Sequence, residues 1–299
     1  METVAVPDGP ELLRLLEVPE SEDAEIARVL AQLAGLPAYE RAVADLSAAV
    51  GGPGPYDPGP APAEAGEEAR RWFHFCVFLG AVPAVRAHHR GLGVPDDVSW
   101  ASLADLGNKA DVHRRTHGTG GMDKQSWMTL PFRGLLYRLG RLQFDMYDGE
   151  DGWELGVHIP EGGPLDPEEC EESYRRAREF FPRYFPRWYA PGEPVRMACV
   201  SWLLDPQLAT YLPESSNIVR FQRRYELDGQ REGGTAGVLT NADRDIVEFV
   251  FRREVATPQD VARLQARTTL ERAVVGHIGR GEHWQVVTGR LRVGAAESG

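Results

Sequence analysis

Trp153-Glu154-Leu155-Gly156-Val157-His158-Ile159-Pro160-Glu161-Gly162-Gly163-Pro164-Leu165-Asp166-Pro167-Glu168-Glu169 decides how this chain is read. Its first seven residues form an apolar-rich run with the length of a strand. Pro160 to Leu165 carries two glycines and two prolines and reads as a loop. Asp166 followed by Pro167 has the signature of a helix start, an N-cap acceptor with proline at the first helical position. A strand that passes through a glycine loop into a helix aims free backbone N–H groups at one spot. Such a spot suits a phosphate or a polarised carbonyl.

Working outward, residues 135–147 alternate apolar and polar over their second half, which predicts a strand with one buried face. Asp148-Gly149-Glu150-Asp151-Gly152 is a turn between it and the strand just quoted. Downstream, a helix is expected from Asp166 to about 181, and 195–204 is an apolar run that fits a buried strand. Short helices are expected at 206–212 and 216–225, a polar glycine-rich loop at 230–241 and an alternating strand at 246–252. Thr257-Pro258 caps a helix reaching about 278, and 284–293 is a last strand. Strands interleaved with helices in this order predict an α/β or α+β fold with a mixed sheet.

The first part of the chain reads differently. Leu12, Leu13, Leu15 and Leu16 begin an amphipathic segment. Ser21 can cap a helix to 36 with Ile26, Val29, Leu30 and Leu33 on one face. Pro37 starts another to 50. The glycine- and proline-rich stretch 51–62 is a break. A helix resumes over 64–89, apolar around Trp72, Phe75, Cys76 and Leu79, with Pro83 inside it. A further helix over 99–115 is capped by Ser99 and closed by Gly118-Thr119-Gly120-Gly121. The expected division is a helical domain over 1–93 and a mixed-sheet domain over 94–299.

Composition narrows the function. The 299 residues carry a net charge of −12, which argues against nucleic acid or an anionic membrane as main partner. Lys109 and Lys124 are the only lysines among 33 basic residues, a bias that points to a GC-rich bacterial genome. Cys76, Cys170 and Cys199 are too few and too scattered for a disulfide scaffold, so reduced thiols and a cytoplasmic location are expected. Met1-Glu2-Thr3-Val4 has neither the basic nor the apolar region of a signal peptide. No apolar run approaches the length of a membrane span.

Leu136-Tyr137-Arg138-Leu139-Gly140-Arg141-Leu142-Gln143-Phe144, His158-Ile159-Pro160-Glu161-Gly162-Gly163-Pro164-Leu165, Ser201-Trp202-Leu203-Leu204 and Ser216-Asn217-Ile218 together resemble a bacterial family of acyltransferase domain-containing proteins. The resemblance covers about residues 10–293. It implies a helical N-terminal domain packed on a GNAT-like C-terminal domain. It also implies acyl-CoA as co-substrate, a small amine as acceptor, and direct attack of that amine on the thioester. By this resemblance the strand ending at Ile159 is the splayed strand of the fold and Gly162 and Gly163 lie in the pyrophosphate loop. Ser201 and Asn217 join Ile159 at the acyl-CoA, and Tyr225 falls where a tyrosine protonates the departing thiolate.

The residues themselves leave alternatives open. The loop lacks the usual Gln/Arg-to-Gly spacing of a GNAT pyrophosphate loop. Asp166, Glu168 and Glu169 put negative charge at a helix start, where it suits the helix dipole with no ligand present. His158 has the right chemistry for a general base near neutral pH, and Glu154 is an alternative on the same strand face; a lone strand histidine is equally a structural residue. Cys199 and Ser201 share a strand face but lack a nucleophile elbow. His113 and His117 have a zinc-compatible spacing without the intervening glutamate of a metalloprotease, and no metal is expected. The reading is an N-acyltransferase. The alternative is a non-catalytic GNAT-like ligand-binding or scaffolding protein, and a metal-dependent hydrolase is a distant third.

Overall fold

A computed structural model describes residues 9–150, 152–190, 192–228, 235 and 237–292. Residues 1–4, residues 230–234 and 236 of the 230–241 loop, Asp151 of the turn and the end of the last expected strand at Val293 lie outside the described residues. The chain forms two compact units. One comprises Met1–Leu139, Gln143–Tyr147 and Glu179–Pro191, the other Gly140–Leu142, Asp148–Arg178 and Gly192–Gly299.

The first unit carries α1 (Gly9–Leu15), α2 (Asp23–Leu33), α3 (Pro37–Ala48), α4 (Glu67–Leu92), α5 (Asp96–Leu103), α6 (Asp105–His117) and α7 (Gln125–Phe132). Helix α2 buries Ile26, Val29 and Leu33, one stripe at helical spacing. Helix α4 is buried nearly all round, with Trp72, Phe75, Cys76 and Val82 fully enclosed. Its end is set by Gly93, whose φ of 80° supplies the left-handed turn that stops a helix. Residue 93 is where the sequence reading closes the helical domain. The apolar core does not stop there: one cluster runs from Leu13 and Ile26 through Trp72 to Leu103, Leu106, Met128 and Phe132. Helices α5 to α7 therefore belong with α1 to α4. The single helix expected over 99–115 is two, and Ser99 is no cap but a buried α5 residue whose hydroxyl meets His89 Nδ1 at 2.6 Å.

Two glutamates of this unit are tied to the same arginine. Glu22, 1% exposed, takes two 2.5 Å hydrogen bonds from Arg114. Glu25 receives the Trp72 indole N–H at 2.9 Å and Arg114 at 2.7 Å. Burial pushes the Glu25 carboxyl up, but the hydrogen bonds from Trp72 and Arg114 outweigh it and hold the group below the usual carboxylate range.

Strands β1 (Leu136–Leu139), β2 (Leu142–Gly149) and β3 (Gly152–His158) are followed by α8 (Pro167–Tyr184), β4 (Met197–Ser201), α9 (Asn217–Gln222), β5 (Tyr225–Leu227), α10 (Asn241–Phe251), α11 (Pro258–Ala262), α12 (Thr269–Gly279) and β6 (Val287–Leu291). They form a mixed six-stranded sheet in the order β1-β2-β3-β4-β6-β5. The segment 135–147, read as one strand, is a hairpin, because Gly140 with φ 87° turns the chain between β1 and β2. The alternating window 246–252, read as a strand, lies largely in α10. Thr240 and Asp243 close a reciprocal capping box at its start, and Ala242, Asp243, Ile246 and Val247 are buried at helical spacing. A third correction is β5, which lies at the end of a segment read as helix. The helix expected from 257 to 278 is two, each opened by its own capping box, Thr257/Asp260 and Thr268/Glu271.

Two fully buried aspartates fix the approach to β6. Asp205 accepts the Gln285 N–H at 2.8 Å and Asp243 accepts the Trp284 N–H at 2.9 Å. Trp284 anchors a second core with Leu208, Ile246, Val247, Val274 and Ile278. Among the described residues no helix is long and apolar enough to cross a membrane.

Two glycines separate crowding from helix propensity. A Cβ on Gly107 in α6 would lie 2.4 Å from the backbone of Leu16 and Glu17, whereas one on Gly91 in α4 would meet nothing within 4 Å. Gly91→Ala is expected to raise stability by up to about 1 kcal/mol. Gly107→Ala should lower it by about 1–3 kcal/mol, because backbone cannot move aside cheaply. Urea unfolding of both variants checks this; stabilisation by both would contradict the packing of α6 on the α1 end.

Candidate functional site

Strands β3 and β4 run parallel, but only briefly. Leu155 pairs with Met197 and Gly156 with Ala198. Strand β3 continues to His158 and β4 to Ser201 with no further pairing between them among the described residues. From Ala198 onward β4 pairs on its other side, Ala198 with Arg290, Cys199 with Gly289, Val200 with Thr288 and Ser201 with Val287. The two strands thus share a closed end and an open end. At the open end the β4 edge toward β3 has backbone groups without ladder partners, the template for an extended polar ligand. Val200 is 64% exposed there.

Glu154 sits one residue before the closed end. It is 3% exposed, and its carboxylate is 3.2 Å from both Arg196 and Arg290. It clamps β3 to the start of β4 and to β6. His158 lies four residues on, at the open end and partly exposed, roughly 13 Å along the strand. The two candidate bases therefore stand in different surroundings.

Beyond His158 and Ile159 the chain enters the glycine loop. Gly162 and Gly163 have φ of 92° and 70°, and a Cβ on either would meet nothing within 4 Å. No hydrogen bond among the described residues takes the N–H of either glycine. Their carbonyl side is occupied: Arg141 donates to Pro160 O at 3.0 Å, Pro164 O at 2.8 Å and Gly163 O at 3.2 Å. One guanidinium thus fixes the loop by three carbonyls and leaves glycine N–H groups open. Arg141 is itself placed by Ser173 of α8, whose hydroxyl accepts the Arg141 N–H at 2.9 Å and donates to Glu169 O at 2.8 Å. Glu161 pairs with Arg252 at 2.9 Å.

The start of α8 is not open in the same way. Asp166 Oδ1 accepts the N–H groups of Glu168 at 2.9 Å and Glu169 at 3.2 Å. The helix end is satisfied by its own carboxylate, so donors free for a phosphate are in the loop before it.

Other residues named from the sequence are placed as follows. Ser201 caps the 3-10 turn Trp202–Leu204, its hydroxyl accepting the Leu203 N–H at 3.1 Å. Asn217 is the first residue of α9, next to the Ser216 cap, and is partly exposed. The Tyr225 hydroxyl lies 2.8 Å from that of Tyr174, both buried. Burial pushes both phenols well above their usual value, so both stay protonated at neutral pH. Burial also pushes Cys199 up to about 12, which removes it as a nucleophile. His113 and His117 turn to different acceptors, the Thr119 carbonyl at 2.9 Å and Asp123 at 3.3 Å.

Sequence reasoning quotes Arg141 within the family-like stretch but gives no role to it, to Ser173 or to Tyr174. A glycine followed by arginine inside an apolar alternation was the one available sign of the first. A recess of about 370 Å³ also opens beside the α8 start, lined among others by Leu165, Glu171, Arg220, Phe221, Arg223 and Arg224.

The bracing of the loop is measurable. Arg141→Met removes three hydrogen bonds and is expected to cost about 1–3 kcal/mol. Gly163→Ala meets no neighbour and carries only the strain of a positive φ, about 1–2 kcal/mol. Urea unfolding should therefore rank Arg141→Met as equally or more damaging, and limited proteolysis should cut within residues 160–165 faster in that variant alone. An unchanged loop in Arg141→Met would contradict the bracing.

Comparison with known proteins matches this geometry to a family. Residues 7–134 match the model of an N-acyltransferase N-terminal domain and residues 136–291 that of a GNAT-like C-terminal domain. The expected boundary at 93/94 falls inside the first of these. Among solved structures, an acyltransferase in complex with decanoyl-CoA and teicoplanin is 41% identical, with a TM-score of 0.85 over 97% of this chain and 90% of that one. An acyltransferase in complex with CoA and 10C-teicoplanin is 40% identical, with a TM-score of 0.83 over 96% and 88% of the two chains. A third, in complex with decanoyl-CoA, is 38% identical with a TM-score of 0.80 over 98% and 90%. Among curated proteins none matches the chain. The chain belongs to the acyltransferase family built from an N-acyltransferase N-terminal domain and a GNAT-like C-terminal domain.

Proposed function

We propose that this protein transfers an acyl group from acyl-CoA to an amine on a small-molecule acceptor. The observation that carries the reading is the parting of β3 and β4 after Gly156 and Ala198, with His158 at the open end and the glycine loop directly after it. A related structure is an acyltransferase in complex with decanoyl-CoA and teicoplanin, which supports a long-chain acyl-CoA as donor and a glycopeptide-like molecule as acceptor. For this chain the corresponding acceptor is an amine borne on a glycopeptide-like scaffold.

The reaction needs few groups. The acceptor nitrogen attacks the thioester carbonyl carbon, the C–N bond forms and the C–S bond breaks. The amine proton goes to a base, and the departing thiolate takes up a proton to become free CoA. We assign the base to His158, an imidazole that stands at the open end of the strand pair, where it can take up the amine proton. Glu154 is already engaged by Arg196 and Arg290, so its role is to hold the closed end of the strand pair. Gly162 and Gly163 offer N–H groups to the diphosphate, and Ile159, Ser201 and Asn217 border the pantetheine path. Tyr225 is the proposed proton donor to the thiolate, acting from its hydrogen-bonded pair with Tyr174.

A second reading, a GNAT-like binding protein without turnover, draws on one feature. Asp166 already occupies the N–H groups at the start of α8.

Incubation with decanoyl-CoA and a deacylated glycopeptide bearing a free sugar amine, followed by thiol titration and mass spectrometry, tests the proposal. Free CoA should appear only with both substrates present, with one acyl group added to the acceptor. His158→Ala should lower kcat by about 10²–10⁴-fold with acyl-CoA binding retained. Tyr225→Phe should lower kcat less and leave binding intact. Acyl-CoA binding without release of CoA to any amine would favour the second reading, and no melting shift with any acyl-CoA would contradict both.

A further inference from the structure

We propose that the recess between the start of α8 and the end of α9 is a phosphate subsite. Its occupant is the 3′-phosphate on the adenosine of CoA, with Arg220 and Arg223 as its ligands. This rests on the acyl-CoA reading above and extends it: the protein then distinguishes acyl-CoA from acyl-dephospho-CoA.

Three arginines line the recess, Arg220, Arg223 and Arg224, against two acids, Glu168 and Glu171, a local balance of +3 − 2 = +1 in a chain of net charge −12. Their engagements differ. Arg224 is ion-paired to Glu171 inside the recess, so that charge is spent. Arg223 meets Glu214 at 3.1 Å, but the two side chains are 56% and 88% exposed, a pairing that water weakens and a phosphate can displace. The Arg220 guanidinium has no carboxylate partner among the described residues. Arg220 and Arg223 stand three residues apart at the end of α9, hence on one face, and a guanidinium fork suits a phosphate.

Position supports the same ligand. Leu165, which lines the recess, is two residues beyond Gly163, so loop and recess are separated by at most roughly 7 Å of chain. In CoA the diphosphate and the 3′-phosphate are separated by a single ribose. A diphosphate on the Gly162 and Gly163 N–H groups therefore brings the ribose phosphate within reach of the recess. Leu165, Pro167 and Phe221 give it an apolar side for ribose and base, and its volume of about 370 Å³ has room for a nucleoside.

Calorimetric titration with decanoyl-CoA and decanoyl-dephospho-CoA tests this on the full-length protein. Wild type should bind decanoyl-CoA roughly tenfold or more tightly than the dephospho form, with the gap shrinking as salt rises. Arg220→Met should narrow the gap, Arg220→Met with Arg223→Met should close it, and Arg220→Lys should restore part of it. Melting curves identify any variant that is merely misfolded, and the restored gap in Arg220→Lys makes the result independent of the methionine variants. Equal affinity of wild type for the two ligands overturns this subsite and leaves the acyltransferase reading standing. A gap that persists in the double variant also overturns it. Failure to bind either ligand overturns both.

Discussion

The site depends on a change of partner along β4. Met197 pairs with β3, Ala198 pairs on both sides, parallel to β3 and antiparallel to β6, and beyond Ala198 the strand is held by β6 alone. A strand can leave one neighbour cheaply only if the other keeps its remaining backbone groups satisfied. Here β6 does so as far as Ser201. It is fixed in register from below by the buried carboxylates of Asp205 and Asp243, which bind the N–H groups of Gln285 and Trp284. At the closed end the Glu154 carboxylate, between Arg196 and Arg290, ties β3, the entry of β4 and β6 together. The gap is a built feature, with a charged clasp at one end and the partly exposed His158 at the other.

The same economy governs the loop after β3. The glycine pair has positive φ, and Arg141 holds the loop around it by the carbonyls of Pro160, Gly163 and Pro164. Asp166 occupies the N–H groups of the helix end it caps, while no hydrogen bond among the described residues takes the N–H groups of Gly162 and Gly163. Ser173 and Glu161 attach the loop and its brace to α8 and to Arg252.

Much of this was legible in the sequence, for identifiable reasons. The strand, loop and helix from Trp153 to Glu169 announce themselves through short-range signals, alternation, paired glycines and an Asp-Pro cap, and the structure follows them. Where two local signals competed, the weaker pattern was read. The window 246–252 alternates, but the Thr240/Asp243 box upstream commits it to a helix. Gly140 breaks an apparently continuous strand, because one positive φ outweighs the apolar pattern that spans it. The division at residue 93 followed a true helix end, Gly93. No local signal could show that Leu103, Leu106 and Phe132 share a core with Leu13. Tertiary facts were out of reach for the same reason: Arg141 reaching three carbonyls some 20 residues on, Tyr174 meeting Tyr225, and Glu154 drawing in Arg290 are pairings that spacing does not encode.

The central claim is that ligand enters between the parted ends of β3 and β4. Hydrogen–deuterium exchange with and without decanoyl-CoA addresses it most directly. Added ligand should slow exchange at residues 157–163 and 199–201 and leave β5 and the helices α2 and α3 unchanged. Slowed exchange elsewhere, with the ends of β3 and β4 unaffected at saturating ligand, would contradict the account.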